Sequence, residues 1–292
     1  MECMKCGARM NKKVAAVEGV HDDKTFTVRT TAMVCPNCGY KTVDAQNLDE
    51  YYRAVADAYR ASEGRLTSKE LVALRLKMKK SQREFADYLG VGEASVKRWE
   101  LGKVQERAMD ELIRLKTQAE YSARNHFQVL SQSGEADQYS GWRPLDLKRV
   151  THLVAYFLGE IAKLKKKPEH QPLVLNKLLW YADCRHVRLY GESLTGLRYA
   201  RIDHGPVPDD YVQLYRYLDA QKVLRYADAE TLIARMPFDP TVFSKDEIGS
   251  IAHTWDRFKD RLNEIEELSH AEKAYKETEH ARQISFAWVL EK

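Results

Sequence analysis

The stretch Ser81-Gln82-Arg83-Glu84-Phe85-Ala86-Asp87-Tyr88-Leu89-Gly90-Val91-Gly92-Glu93-Ala94-Ser95-Val96-Lys97-Arg98-Trp99-Glu100-Leu101-Gly102 decides the reading of the N-terminal half. Ser81 with Glu84 forms a capping box, which starts a helix. Phe85, Ala86 and Leu89 then fall on one face of it. Gly90-Val91-Gly92 makes a tight turn with a single apolar anchor, and Glu93 to Leu101 forms a second helix with Val96 and Trp99 inward, stopped by Gly102. The small Ala86 lets the two helices cross closely, as a helix-turn-helix requires. That inward face fixes the outward one. Glu93, Ala94, Ser95, Lys97 and Arg98 would project into a DNA major groove, with Lys79, Lys80, Gln82 and Lys103 beside them as candidate phosphate contacts. Upstream, Thr67 with Glu70 forms another capping box, and Leu66 with Leu71 is placed as its hydrophobic staple. The helical block runs from Leu66 to about Tyr121. The bland alternative is a three-helix packing unit whose charged outer face is merely solvated.

Working toward the N-terminus, Cys3-x-x-Cys6-Gly7 and Cys35-x-x-Cys38-Gly39 are separated by 28 residues. Each pair curls so that two sulfurs converge on one ion, and the following Gly accepts the left-handed backbone that this curl needs. Cys3, Cys6, Cys35 and Cys38 thus offer the four-sulfur shell preferred by structural Zn²⁺, with no open position for catalytic water. Thr25 to Arg29 alternates with period two and reads as a strand, with Val14 to Val17 as its partner and Gly19 to Lys24 as the turn region. A helix from Leu48 to Ala61 follows.

Toward the C-terminus, Ser131 to Gly141 is polar and aperiodic and reads as a linker. Beyond Leu145 the chain is mainly helical. Leu173 to Tyr190 carries a continuous apolar stripe, and Ser244 with Glu247 caps another long helix. Leu197 to Ile202 and Val223 to Met236 suggest short strands. Leu175, Leu178, Leu179 and Ala182 have core spacing, whereas Lys177, Trp180, Tyr181 and Asp183 leave that face in part. Aromatic-plus-charged surface is typical of binding hot spots. The alternative for Trp180 and Tyr181 is that they pack under the strands. Cys184 is expected as a small core hydrophobe and His204 as a turn residue. No phosphate-cradling glycine loop, nucleophile elbow or paired-histidine helix is present, so no catalytic residues are assigned.

The chain has 292 residues, 44% hydrophobic and 31% charged, with 14 Gly and 8 Pro. That is globular composition in two or three domains, neither collagenous nor largely disordered. No apolar run approaches a membrane span, and the N-terminus has no signal-peptide core; a cytoplasmic protein is expected. The net charge of +4 is weak evidence, but residues 63–116 hold 13 Lys/Arg against 9 Asp/Glu. A polyanion should bind there.

Trp99-Glu100-x-Gly102 after Leu89-Gly90-Val91 resembles the Cro/repressor (XRE) pattern, and with the four-Cys block it resembles the MqsA-type antitoxins over about residues 1–118. Gly92 stands where that family usually has a Ser or Thr cap, and Ala94 where MqsA-type proteins have a base-reading Asn. The operator preference therefore does not carry over. Arg98 aligns with the family's base-contacting Arg. Asn176-Lys177-Leu178-Leu179-Trp180-Tyr181-Ala182-Asp183, Tyr190 to Gly196, His204-Gly205-Pro206-Val207, Leu268 to Tyr275 and Ile284-Ser285-Phe286 together resemble the Panacea (SocA-like antitoxin) domain over about 150–290. That resemblance implies a mainly helical domain that binds and neutralises a toxin protein, with Lys177, Trp180, Tyr181, Asp183, His204, Pro206 and Tyr211 as candidate toxin contacts.

The expectation is therefore a mainly α fold with small β elements (α+β). It divides into a zinc-binding β domain with its connecting helix (1–62), a helix-turn-helix DNA-binding domain (63–122), a linker (123–145) and a Panacea-like toxin-neutralising domain (146–292). The function expected is a non-enzymatic antitoxin of a type II toxin-antitoxin system that binds its cognate toxin and, as a homodimer, double-stranded operator DNA. The alternative is a phage- or mobile-element-associated transcription regulator whose C-terminal domain binds another protein or a ligand.

Overall fold

A computed structural model describes residues Met1 to Glu291. The fold is α+β, mainly helical with small antiparallel sheets. The chain forms two compact units, 1–118 and 119–292.

The first unit opens with a long hairpin, β1 (Asn11–His21) and β2 (Lys24–Val34), extended by the short β3 (Lys41–Thr42). The strands run further than the sequence reading, and the turn shrinks to Asp22-Asp23. Both residues have positive φ, 48° and 60°. A two-residue loop of this handedness matches the right-handed twist of the strands, and Asp tolerates it. Helix α1 (Leu48–Ser62) lies against this hairpin. A Cβ on Gly19 would sit 2.4 Å from Val55 Cγ2, so the missing side chain sets how closely the helix approaches. Tyr51 donates its hydroxyl to the Glu18 carbonyl at 2.9 Å, and Tyr59 donates to Asp22 at 3.0 Å.

Four short helices follow: α2 (Ser68–Lys77), α3 (Gln82–Leu89), α4 (Glu93–Glu100) and α5 (Arg107–Thr117). Both expected capping boxes form, Thr67 with Glu70 and Ser81 with Glu84. Gly90 ends α3 at φ +79°, in the left-handed region that a side chain would strain. Leu66, Leu71, Phe85, Ala86, Leu89, Val96, Trp99 and Ile113 make one buried core.

The second unit is built around α8 (Gln171–Tyr190). Around it lie α6 (Ala119–Ser133), α7 (Leu147–Lys163), α9 (Tyr211–Ala220), α10 (Lys245–Phe258), the short α11 (Ile265–His270), α12 (Lys273–Lys276) and α13 (Ala287–Leu290), and two hairpins. These hairpins are β4 (Tyr199–Ile202) with β5 (Gly205–Pro208), and β6 (Leu224–Tyr226) with β7 (Leu232–Ala234). Strand β5, Gly-Pro-Val-Pro, escapes a sequence reading because proline argues against a central strand.

The linker expected at 123–145 is not one. Ala123 and Phe127 on α6 are buried in the core of the second unit. Gln138 and Gly141 accept backbone bonds from Phe286 and Ser193, both at 2.8 Å. The polar residues that suggested a tether instead serve as partners for buried backbone. The expected boundary at 62/63 likewise falls inside one compact unit.

Candidate metal centre, nucleic-acid surface and protein-binding surface

The sulfurs of Cys3, Cys6, Cys35 and Cys38 all lie within 4.8 Å of one another. Cys3–Cys38, Cys6–Cys35 and Cys6–Cys38 are 3.6, 3.4 and 3.5 Å apart. A tetrahedral shell with metal–sulfur bonds near 2.3 Å has sulfur–sulfur edges of about 3.8 Å, so the four donors fit one ion. The two knuckles are built alike. Cys3 N–H donates to Ala8 O and Cys35 N–H to Tyr40 O, while Gly7 and Gly39 bond back to the first cysteine carbonyls. Gly7 and Gly39 have φ near +70°, as that curl demands. Lys5 and Cys38 amides point at the Cys3 and Cys35 sulfurs at 3.4 and 3.5 Å.

The thiols share their protons unevenly. The Ala8 backbone bond, and then Cys35, bring Cys6 down to about 6. Cys38 is pushed up to about 12, because burial and the three neighbouring sulfurs outweigh the Tyr40 backbone bond that lowers it. Four thiolates this close repel one another, and a divalent cation removes that repulsion. Little else holds the knuckles, whose core is only Cys3, Met10 and Cys35 with Ala8, Met33 and Tyr40 against it. Among the described residues, this is the one group of His, Cys, Asp or Glu side chains placed to hold a metal.

On α4 the expected faces are observed: Val96 and Trp99 are buried, and Lys97 and Arg98 are exposed. Glu93 and Lys97 pair at 2.7 Å, and Arg98 Nε donates to Ala94 O at 3.1 Å. Both cations remain at the surface, and Ser95 is half-buried. Lys79 is exposed in the turn before α3, at φ +54°, and Lys103 is exposed after α4. Lys80 is half-buried, its Nζ 5.5 Å from the Tyr88 ring.

Gln82 departs from the expected role. Its amide donates to Glu100 at 2.7 Å, and Glu100 is also gripped by Arg75 at 2.5 and 3.0 Å. The side chain ties α3 to α4 and is not free for phosphate. Sequence reasoning also missed Arg60. It is fully buried and donates to Gln105, Asp57, Trp99 O and Lys103 O. No local signal could reveal it, because Gln105 lies 45 positions away.

In the second unit most of the candidate contact residues prove internal. Trp180 is fully buried between Tyr199 and Phe286, ring centroids 5.1 and 5.3 Å away, and donates Nε1–H to Glu272 at 3.1 Å. Tyr181 packs on Phe258 at 4.3 Å. Asp183 accepts from the amides of Leu194 and Thr195, the Thr195 hydroxyl and the Tyr199 hydroxyl, at 2.7 to 3.0 Å, and so pins the turn after α8. Burial lifts it to about 6, against those bonds.

Lys177 donates to the Pro206 carbonyl at 2.7 Å, and burial brings it down to about 7. Gly205 is required here, since a Cβ would stand 2.5 Å from Ser269 Oγ and 2.9 Å from Lys177 Cε. Pro206 is itself buried. Helix α8 is enclosed on nearly every side, so its polar residues were not a surface stripe but buried groups with partners. His204 is exposed and pairs with Glu266 at 2.9 Å, and Tyr211 is partly exposed at the start of α9. Cys184 is buried as expected, and His186 bonds Ser250 at 3.0 Å.

The unit that carries the four-thiol knot and the helix-turn-helix and the helical second unit each contain a stretch that matches a family model, and the two families belong to one class. The class is the antitoxins of toxin-antitoxin systems. Residues 1–120 match the family model described as the antitoxin component of bacterial toxin-antitoxin system, MqsA. Residues 175–276 match the one described as antitoxin SocA-like, Panacea domain. No curated protein matches the chain. No helix of the described residues is long and apolar enough to cross a membrane.

Proposed function

We propose that the protein is the antitoxin of a type II system. Its C-terminal unit neutralises a cognate protein toxin by direct contact, and its helix-turn-helix binds operator DNA to regulate its own operon. The observation that carries this reading is the presence of two antitoxin-family domains on one chain. Neutralisation by contact needs no chemistry: an interface of about 1,600 Å² reaches nanomolar affinity when its anchors are good. With Lys177, Trp180, Tyr181, Asp183 and Pro206 buried, the contact surface is assigned to exposed residues. Tyr211 and Val212 on α9 and Tyr226 on β6 are partly exposed, and the Tyr226 ring lies 6.0 Å from Tyr215 of α9. Exposed tyrosines such as Tyr211 and Tyr226, the latter resting on the buried Tyr215, make anchors of this kind.

The four-cysteine site is assigned structural Zn²⁺, held by Cys3, Cys6, Cys35 and Cys38. All four positions are protein sulfurs, so the ion would supply folding energy rather than catalysis. For DNA, Arg98 is the base reader, with Ser95, Lys97 and the outward Glu93 around it. Lys79, Lys80 and Lys103 are the phosphate contacts. A homodimer would place two such helices about 34–36 Å apart on a near-palindromic site. The protein acts in the cytoplasm and catalyses no reaction.

The test is co-purification with the product of the adjacent reading frame, together with footprinting of the shared promoter. A stable complex and a protected, near-palindromic site are expected. A protein that protects the promoter yet binds no neighbouring product would favour a plain transcription regulator.

A further inference from the structure

One pocket of the second unit belongs to none of these roles. It lies between α8 and α10, holds about 140 Å³, and is lined chiefly by Tyr181, Arg185, Arg188, His253, Arg257 and Phe258. Arg185 and Arg188 are three residues apart on one helix, and His253 and Arg257 four apart on the other. Each pair therefore shares a face, and the two faces meet at this pocket.

Among the described residues no ion pair engages the three guanidinium groups here. Asp256 is taken by Lys259 at 2.8 Å. Glu272 is half-buried, accepts from Trp180 and attracts Arg188 and Arg257 without pairing with either, its carboxyl raised above the ordinary range by desolvation. Arg185 Nε is shielded from solvent and has no hydrogen-bond partner. Arg188 Nε has only a long contact, 3.3 Å, to the Val289 carbonyl. Arg257 lies over the Tyr181 and Phe258 rings, 5.5 and 4.8 Å from their centroids.

His253 reports the same positive field. Though exposed, it is held below its ordinary value, by partial desolvation first and then by Arg185 and Arg257, against Asp256 which raises it.

Convergent planar forks match an anion with several oxygens and more than one charge, as a phosphoryl group has; a carboxylate offers two oxygens and one charge. The space is about ten times the ~10–15 Å³ that admits a single water, so a phosphoryl group fits. We propose that Arg185, Arg188, His253 and Arg257 form a binding site for the phosphoryl group of a small molecule, either free phosphate or the end of a nucleotide phosphate chain. The site stands apart from toxin and operator binding and is unaffected by the failure of either.

The experiment uses the full chain, titrated calorimetrically with inorganic phosphate, pyrophosphate and ATP while the His253 ring is followed by NMR. Saturable binding is expected, with a shift of the His253 resonance and a rise of its titration midpoint. Arg185→Ala should weaken binding about tenfold or more, the loss of a charge-assisted bond. Arg257→Gln, at an exposed position, is the second variant and should weaken it similarly. ATP binding tighter than pyrophosphate assigns a nucleotide, whereas equal binding assigns the free anion. The proposal is overturned if none of the three ligands saturates, if both variants bind as the parent does, or if His253 does not respond. Phosphate held only by the basic helix-turn-helix would give those last two results.

Discussion

The guanidinium of Arg60 and the side-chain amide of Gln105 meet at 2.8 Å with no exposure to solvent, joining the helix behind the metal hairpin to the segment after the helix-turn-helix. Gln105 in turn donates to Leu66 O and Asp110, so one buried network joins α1, the segment leading into α2, and α5. The metal block and the helical block are therefore one structural unit.

Arg60→Ala should cost that unit about 3–5 kcal/mol, because it leaves Gln105 and two backbone carbonyls without their buried donor. Arg60→Lys should rescue little, since a point charge cannot reproduce the fork. Denaturant unfolding of residues 1–118 measures this. A single transition is expected for the parent; separate transitions for the hairpin and the helices would contradict the coupling.

Cys35→Ser should abolish metal binding and melt the hairpin block, and chelation of the parent should do the same. Metal content read alongside circular dichroism checks it. An unchanged metal stoichiometry in the variant would remove Cys35 from the ligand set.

Arg98→Ala should relax sequence preference, a bidentate base contact being worth about 1–3 kcal/mol. Lys79→Ala or Lys103→Ala should instead weaken all sequences alike and lower the salt slope by about 1. Binding titrations on specific and random duplexes at several salt concentrations separate the two effects. Gln82→Ala should act mainly on stability, through the loss of its bond to Glu100.

The N-terminal half was largely legible because its signals are local. The two C-x-x-C-G knuckles and the Thr67/Glu70 and Ser81/Glu84 boxes each fix geometry within a few residues. The rest depends on groups far apart in the chain. Lys177 and Asp183 read as leaving the core face of a one-sided helix, and Trp180 reads either as a surface anchor or as packing under the strands; the structure takes the second, because α8 has neighbours all round, which periodicity cannot reveal. Ser131 to Gly141 read as a tether because polar side chains that satisfy buried backbone resemble those that face water. Arg185 and His253 sit on separate helices and carry no motif.

Lys177 gives the second unit a pH signature. Its folded value, about 7, lies below the ordinary 10.5. Between those values the unfolded chain holds a proton that the folded chain lacks, so stability rises with pH across that window; on lowering the pH the loss runs from 10.5 down to about 7, below which both states are protonated and the slope vanishes. Melting temperatures from pH 6 to 10 should show this rise in the parent and a flatter profile in Lys177→Met. The same slope in both proteins would assign it to other groups.

Growth rescue tests the central claim most directly. The adjacent gene product is expressed alone, with residues 1–118, and with residues 119–292, the second fragment keeping Ala123 and Phe127 in their core. Rescue by 119–292 and none by 1–118 is the predicted result. Rescue by 1–118 alone would contradict the account and move neutralisation to the four-cysteine half.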